Sequence, residues 1–278
     1  MTGERAVKLV FADLDDSFLA RDKSIPAANL AALDLLAARG GCFVPCTGRK
    51  VEGVPAELMA HPATRFAVGS NGGIVMDART GEVLHRSLMS VETVCRVYEQ
   101  IRDLNVSFDA FVDGHVYAER ARYDAMAGYG IDEVNLRVIR SLREPFDVTI
   151  PELIAGYDGV EKVTLYCADG PTREAAREIL ATFDEIGVTT SHPKNFEFMA
   201  KNTSKGSALT WLCAHLGIDQ SATVAFGDSS NDVPMLMAAG DGVAVGNAAP
   251  EIKAAADHVC ASCDDGGPGL YLRALLDA

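Results

Sequence analysis

The 278-residue sequence is short of basic residues: 25 Lys and Arg stand against 39 Asp and Glu, a formal net charge of −14. That balance excludes a general binder of nucleic acid or of an anionic membrane, because neutralising phosphates needs a basic face. It leaves room for one small phosphate held by a local cluster or a metal ion. Long apolar runs are also missing, and none approaches the roughly 18 residues of a membrane span. Met1 to Val10 carries Glu4, Arg5 and Lys8 around a short apolar stretch, with no signal-peptide h-region and no cleavage-like site. The expectation is a cytoplasmic protein. Cysteine is present but unpaired in pattern: seven residues include one C-x-x-C, Cys260 to Cys263, and no second pair to complete a zinc site. These read as reduced thiols in core positions, with a redox or zinc role for Cys260 and Cys263 as the alternative.

Three catalytic signatures are absent. There is no G-x-x-x-x-G-K-[ST] P-loop, no G-x-G-x-x-G dinucleotide turn and no G-x-S-x-G nucleophile elbow. His61, His85, His115, His192, His215 and His258 show no metal-binding spacing and read as surface or packing residues. The one tryptophan, Trp211, reads as core. No internal repeat, long linker or low-complexity tract interrupts the chain.

What is present is a globular composition, 48% hydrophobic and 23% charged, at a length that suggests about two domains. Val7 to Ala12 is a nearly continuous apolar run of the kind buried on both faces in a parallel sheet. Ser24 is placed to cap a helix with Pro26 in its first turn, and Gly40-Gly41 ends that helix. Strands are expected at Cys42 to Cys46 and Phe66 to Gly69, then a hairpin of Ile74 to Asp77 and Glu82 to His85. The alternation of strand and helix predicts an α/β fold, a doubly wound parallel sheet. The pattern then mixes. A helix over Val91 to Leu104, paired strands around Asp113-Gly114, a strand at Val163 to Cys167 and a helix over Thr172 to Ile186 indicate an inserted α+β domain at 87–192. The first domain accordingly comprises 1–86 and 193–278. The α/β pattern returns near Phe196, with a helix at Lys205 to Leu216 and strands at Thr223 to Phe226 and Gly242 to Val245. Asp264 to Gly269 is expected as a surface loop.

In open α/β sheets, ligands bind beyond the carboxyl ends of the strands. Asp13, Asp15 and Asp16 follow the first strand, Thr47 and Gly48 the second, and Asp228, Asn231 and Asp232 the strand at Thr223 to Phe226. A lone D-x-D is an ordinary acidic turn. Two acidic groups after two strands of one sheet are different, since their carboxylates would repel one another unless a cation neutralised them. An oxygen-only set without His or Cys suits a hard ion, Mg²⁺ before Zn²⁺.

Asp13-Leu14-Asp15-Asp16-Ser17, Thr47-Gly48-Arg49, Lys205-Gly206 and Gly227-Asp228-Ser229-Ser230-Asn231-Asp232, in that order, resemble the four motifs of the haloacid dehalogenase-like phosphatase superfamily. Ser70-Asn71-Gly72-Gly73, Ser204-Lys205-Gly206 and Val243 to Ala248 resemble its Cof-type branch, whose large α/β cap matches the insertion. The resemblance implies a Mg²⁺-dependent phosphatase acting on a small-molecule phosphate ester, a sugar phosphate first, as a monomer or homodimer. It implies Asp13 as nucleophile and Asp15 as general acid and base, with Lys205 and Thr47 in the catalytic set. The implied phosphate contacts are Leu14, Thr47, Gly48, Arg49, Lys205 and Asn231. The implied metal ligands are Asp13, the backbone carbonyl of Asp15, and Asp228, with Asp232 orienting them. Thr47 and Ser17 are equally helix-capping types, Arg49 suits either substrate or a neighbouring carboxylate, and Asn71 suits a turn. Asp16 departs from the pattern, standing where the family usually has Gly, and so removes a permissive backbone position. A phosphomutase sharing the aspartyl-phosphate, and a phosphometabolite sensor with vestigial chemistry, are the alternatives.

Overall fold

The computed structural model describes residues 7–278, which divide into two compact units: residues through His85 together with Ser204–Ala278, and Arg86–Thr203.

The first unit begins with strand β1 (Leu9–Asp13), helix α1 (Ala27–Ala38), β2 (Cys42–Cys46), the short α2 (Ala56–Met59), β3 (Phe66–Gly69), β4 (Ile74–Asp77) and β5 (Val83–Arg86). All five residues of β1 are buried, and they alternate between two cores. Leu9 and Phe11 pack with one cluster, Val10 and Ala12 with another. That is what a strand covered on both faces requires. The helix after β1 starts later than the serine suggested. Pro26 takes the cap position with extended ψ, and the Ser24 hydroxyl donates to Asp22 at 2.6 Å.

The second unit carries α3 (Val91–Ile101), β6 (Asp109–Val112), β7 (His115–Glu119), α4 (Arg120–Ala125), α5 (Glu133–Ser141), β8 (Glu144–Phe146), α6 (Ile150–Ile154), β9 (Lys162–Tyr166), α7 (Gly170–Leu180), β10 (Ile186–Thr189) and β11 (Asn195–Ala200). Its sheet runs β10-β11-β9-β6-β7-β8, antiparallel except for β7 with β8. One face buries Phe108, Leu165, Phe196 and Phe198 beneath α3, α6 and α7. Two buried ion pairs, Arg143 with Asp109 at 2.8 Å and Lys162 with Glu197 at 2.6 Å, lie in this unit. The expected return to the first domain at 193 comes at Ser204 instead, because Asn195–Ala200 pairs with both β9 and β10. The helix expected over Thr172 to Ile186 ends at Leu180, and Ile186 opens β10.

The chain re-enters the first unit with α8 (Lys205–Leu216), β12 (Thr223–Gly227), α9 (Val233–Ala238), β13 (Gly242–Ala244), α10 (Pro250–Ala255), β14 (His258–Val259) and α11 (Gly267–Asp277). The sheet order is β14-β13-β12-β1-β2-β3-β4-β5. β1 pairs in parallel with β12 on one side and β2 on the other, while β3 and β4 are antiparallel. Gly267, Pro268 and Gly269, expected in a surface loop, are buried in the first turn of α11. A Cβ on Gly269 would strike the Ala28 backbone, so the missing side chains are what let α11 lie against α1. Trp211 lies between His85 and His215, stacked with ring centroids 4.6 Å and 4.8 Å away. Among the described residues no helix is long and apolar enough to cross a membrane.

Candidate active site

The parallel order puts the carboxyl ends of β1, β2, β3 and β12 side by side, and each strand delivers its polar segment there. β1 ends at Asp13. Leu14 to Phe18 then form a kinked turn in which Asp15 is extended and Asp16 is left-handed (φ 59, ψ 15), closed by the Leu19 N–H donating to Leu14 O at 2.8 Å. β12 ends at Gly227, and Asp232 ties the next turn by accepting the N–H groups of Asp228 and Ser229 at 3.0 and 3.1 Å.

Lys205 opens α8. A cation at a helix start is unfavourable for the helix dipole, and the Ser204 hydroxyl, accepting the Ser207 N–H at 3.0 Å, holds the terminus instead. Lys205 Nζ reaches Asp13 Oδ1 at 2.5 Å and Asp232 Oδ1 at 2.6 Å and is fully buried. Burial pulls this ammonium down. Asp13 and Asp232 more than reverse that, so it stays charged. Burial raises Asp13 well above the usual carboxylate range, against Lys205 and with Asp232, Asp228 and Asp15 adding to the rise. Asp228 is pushed up to about 7, by burial first and then by Asp232.

Oxygens of Asp13, Asp228 and Asp232 lie within 4.8 Å of one another. Three carboxylates against one lysine leave negative charge uncompensated in a buried place, and all donors are hard oxygens. The residues present therefore fit a divalent hard cation. Asp232 has both carboxyl oxygens engaged, Oδ1 with Lys205 and Oδ2 with two backbone N–H groups, whereas Asp13 and Asp228 meet Lys205 and Ser17 through Oδ1. Cys260 and Cys263 belong to no such cluster among the described residues.

The other expected residues divide. The Asp15 carboxylate turns to cations: Arg49 Nη2 lies 2.5 Å and Lys23 Nζ 3.1 Å from its Oδ1. Arg49 thus meets a neighbouring carboxylate, one of the two partners its position suits. Thr47 is buried, and its Oγ1 accepts the Arg49 N–H at 3.0 Å, a turn bond rather than a helix cap. Ser17 caps nothing either, since its hydroxyl donates to Asp228 Oδ1 at 2.8 Å. Asn231 gives its amide to Asn71 Oδ1 at 3.1 Å. Leu14 and Gly48 adjoin Asp13 and Thr47 at the ends of β1 and β2. A Cβ on Gly72 (φ +101) would strike the Ser204 carbonyl, so glycine is what lets the Asn71 loop approach the start of α8.

Sequence reading does not single out Lys23, seven positions beyond Asp16 in an unpatterned stretch, and it gives no role to Asn247 of the Val243 to Ala248 motif, whose amide donates to Asp16 O at 2.7 Å. Cys46, also near Asp13, is a buried thiol pushed up by desolvation and supplies no competing nucleophile.

The family model for haloacid dehalogenase-like hydrolases matches residues 10–271. The chain is 27% identical over 285 residues to 5-amino-6-(5-phospho-D-ribitylamino)uracil phosphatase of Bacillus subtilis, covering 97% of this chain and 98% of that protein. A solved haloacid dehalogenase-like hydrolase from B. subtilis superposes with a TM-score of 0.83 at 25% identity, over 96% of this chain and 99% of that one. A sugar phosphatase of subclass IIB shares the fold, with a TM-score of 0.81 at 23% identity over 96% and 98%.

Proposed function

This chain belongs to the haloacid dehalogenase-like hydrolase family and is a phosphatase of its Cof-type branch, and we propose that it is Mg²⁺-dependent, hydrolysing a small phosphorylated metabolite through a phosphoryl group carried on Asp13. The observation that carries this reading is the bridge from Lys205 Nζ to both Asp13 and Asp232, with Asp228 in the same oxygen cluster. Asp13 Oδ1 is turned by Lys205, and that carboxylate is the nucleophile. It attacks phosphorus, the ester P–O bond breaks, and the bond pair leaves on the alcohol oxygen, which takes a proton from Asp15. In the second half, Asp15 takes a proton from water, whose oxygen attacks the phosphoryl group and returns Asp13 as a carboxylate.

Asp13, Asp228 and the backbone carbonyl of Asp15 would hold Mg²⁺, with Asp232 orienting the set through the Asp228–Ser229 backbone. When bound, the ion supplies positive charge that offsets the repulsion between two anions. Lys205 adds a fixed charge that needs no reorganisation, because it is already dry and paired. The Thr47 hydroxyl has a proton left to donate. Arg49 and Asn231, both turned to protein partners, act on the phosphoryl group through Asp15 and the Asn71 loop.

The substrate class favoured is a sugar or sugar-alcohol phosphate, in keeping with the phosphoribityl compound that the B. subtilis relative acts on. The test is phosphate release from a panel of phosphorylated metabolites with and without Mg²⁺. Release that needs the metal and disappears in Asp13→Asn supports the reading. Release surviving Asp13→Asn would overturn it, and isomerised sugar phosphate without free phosphate would make the enzyme a mutase.

A further inference from the structure

In the segment that follows β1, two residues other than glycine adopt the left-handed conformation, Asp16 (φ 59) and Lys23 (φ 69). Aspartate tolerates this region because its short polar side chain bonds locally, whereas lysine has no such compensation. A tight turn holds Lys23 there: the Lys23 N–H donates to Ala20 O at 2.8 Å, and the Ala20 N–H to Ser24 O at 3.0 Å. The turn folds the side chain back so that Nζ lies 2.9 Å from Asp16 Oδ1 and 3.1 Å from Asp15 Oδ1. Asp16 is fixed at its other end, its carbonyl accepting the Asn247 amide. Asp16 thus has two tasks. It occupies the backbone position that glycine usually fills in the first motif, and it anchors a lysine that glycine could not anchor.

Resting on the phosphatase reading above, we propose that Lys23 is a positioning residue for Asp15, anchored by Asp16, and that it sets which carboxyl oxygen carries the transferred proton. Asp15 Oδ1 already holds Arg49 and Lys23. Those two contacts occupy Oδ1 and leave Oδ2 as the oxygen that passes the proton. It moves from Oδ2 to the ester oxygen as the P–O bond breaks, and a proton from water returns to Oδ2 in the second half. Arg49 alone would leave the carboxyl free to rotate about that single contact. The second cation, tied to the turn, stops the rotation.

The experiment compares kcat/KM for an alkyl ester, glycerol phosphate, and an aryl ester, p-nitrophenyl phosphate, whose phenolate departs without a proton. General acid catalysis is worth about 10²–10⁴-fold. Lys23→Met is therefore expected to lose about tenfold or more on the alkyl ester and only about a third of that factor on the aryl ester, mostly in kcat. Lys23→Arg is expected to restore most of the alkyl activity. Asp16→Ala, which keeps neither the anchor nor an easy left-handed backbone, is expected to lose more than Asp16→Gly, which keeps the backbone. Equal losses on both esters in Lys23→Met, or an Asp16→Gly variant that keeps wild-type activity on the alkyl ester, would overturn the proposal. If Lys23→Met does not fold, Lys23→Gln and the two Asp16 variants give the same comparison. Failure of the phosphatase reading itself would look different: wild-type protein would release no phosphate from either ester, or Asp13→Asn would still release it.

Discussion

Lys205 and Asp13 stand 192 residues apart in sequence and 2.5 Å apart in space, Nζ to Oδ1, with the ammonium wholly out of water. A buried charge keeps its place only while its partners do. Lys205→Met would strand Asp13 and Asp232 facing each other without a cation. The expected loss is about 3–5 kcal/mol of stability in urea unfolding, the usual cost of removing one member of a buried pair, together with loss of turnover. An unchanged midpoint would show that the two carboxyls simply take up protons.

Asp228 holds its proton to about pH 7 in the fold, whereas an aspartate in an unfolded chain releases it near about 3.9. The folded carboxyl is thus raised, and the metal-free protein loses this group's contribution to stability as pH climbs from about 4 through about 7. A divalent ion must displace that proton. The gain in Tm on adding Mg²⁺ is therefore expected to be larger at pH 8 than at pH 6, and calorimetry near pH 7 in buffers of different ionisation enthalpy is expected to register proton release. Equal Mg²⁺ shifts at both pH values would contradict this.

The single tryptophan offers an optical reading of one corner of the first unit. Trp211 is stacked between His85 and His215, and burial lowers His85 from its ordinary value. A protonated imidazole against an indole face quenches emission, so fluorescence is expected to fall on acidification, the part of the fall owed to His85 lying below the ordinary histidine value of about 6.5. His85→Gln is expected to remove that part. A titration indifferent to His85→Gln would place the quencher elsewhere.

α11 depends on an absent side chain. At Gly269 a Cβ would overlap the backbone of Ala28 and Asn29. Gly269→Ala is expected to cost about 1–3 kcal/mol, the usual penalty for overpacking, read as a lower Tm with kcat barely altered. A neutral effect would mean that α11 shifts without resistance.

The carboxyl-end logic was legible because it depends on pattern alone. A strand buried on both faces reads as continuous apolar residues, as Leu9 to Ala12 do, and whatever polar group follows must sit at the sheet's edge. Asp13, Asp228 and Asp232 followed from that, and Lys205 from its motif. What was hidden depends on three-dimensional pairing. Lys23 carries no periodicity and reaches Asp15 and Asp16 only through a turn with a left-handed lysine. The Gly-Pro-Gly of α11 looked like a loop because turn residues and close-packed helix starts share a composition, and only the overlap with Ala28 separates them. The sequence pattern puts the return from the insertion too early because Asn195–Ala200 alternates like any strand, and sequence does not say which sheet receives it.

The sequence distance between Lys205 and Asp13 also bears on synthesis. A ribosome releases Asp13 early, and its cation follows only after the whole of Arg86–Thr203 has been made. Until then β1 lacks β12, one of its two neighbours, and its acidic tip has no counter-charge. The insertion, whose sheet uses only its own strands, is complete on the nascent chain first. The lysine that makes Asp13 tolerable thus joins the growing chain two residues after the insertion ends.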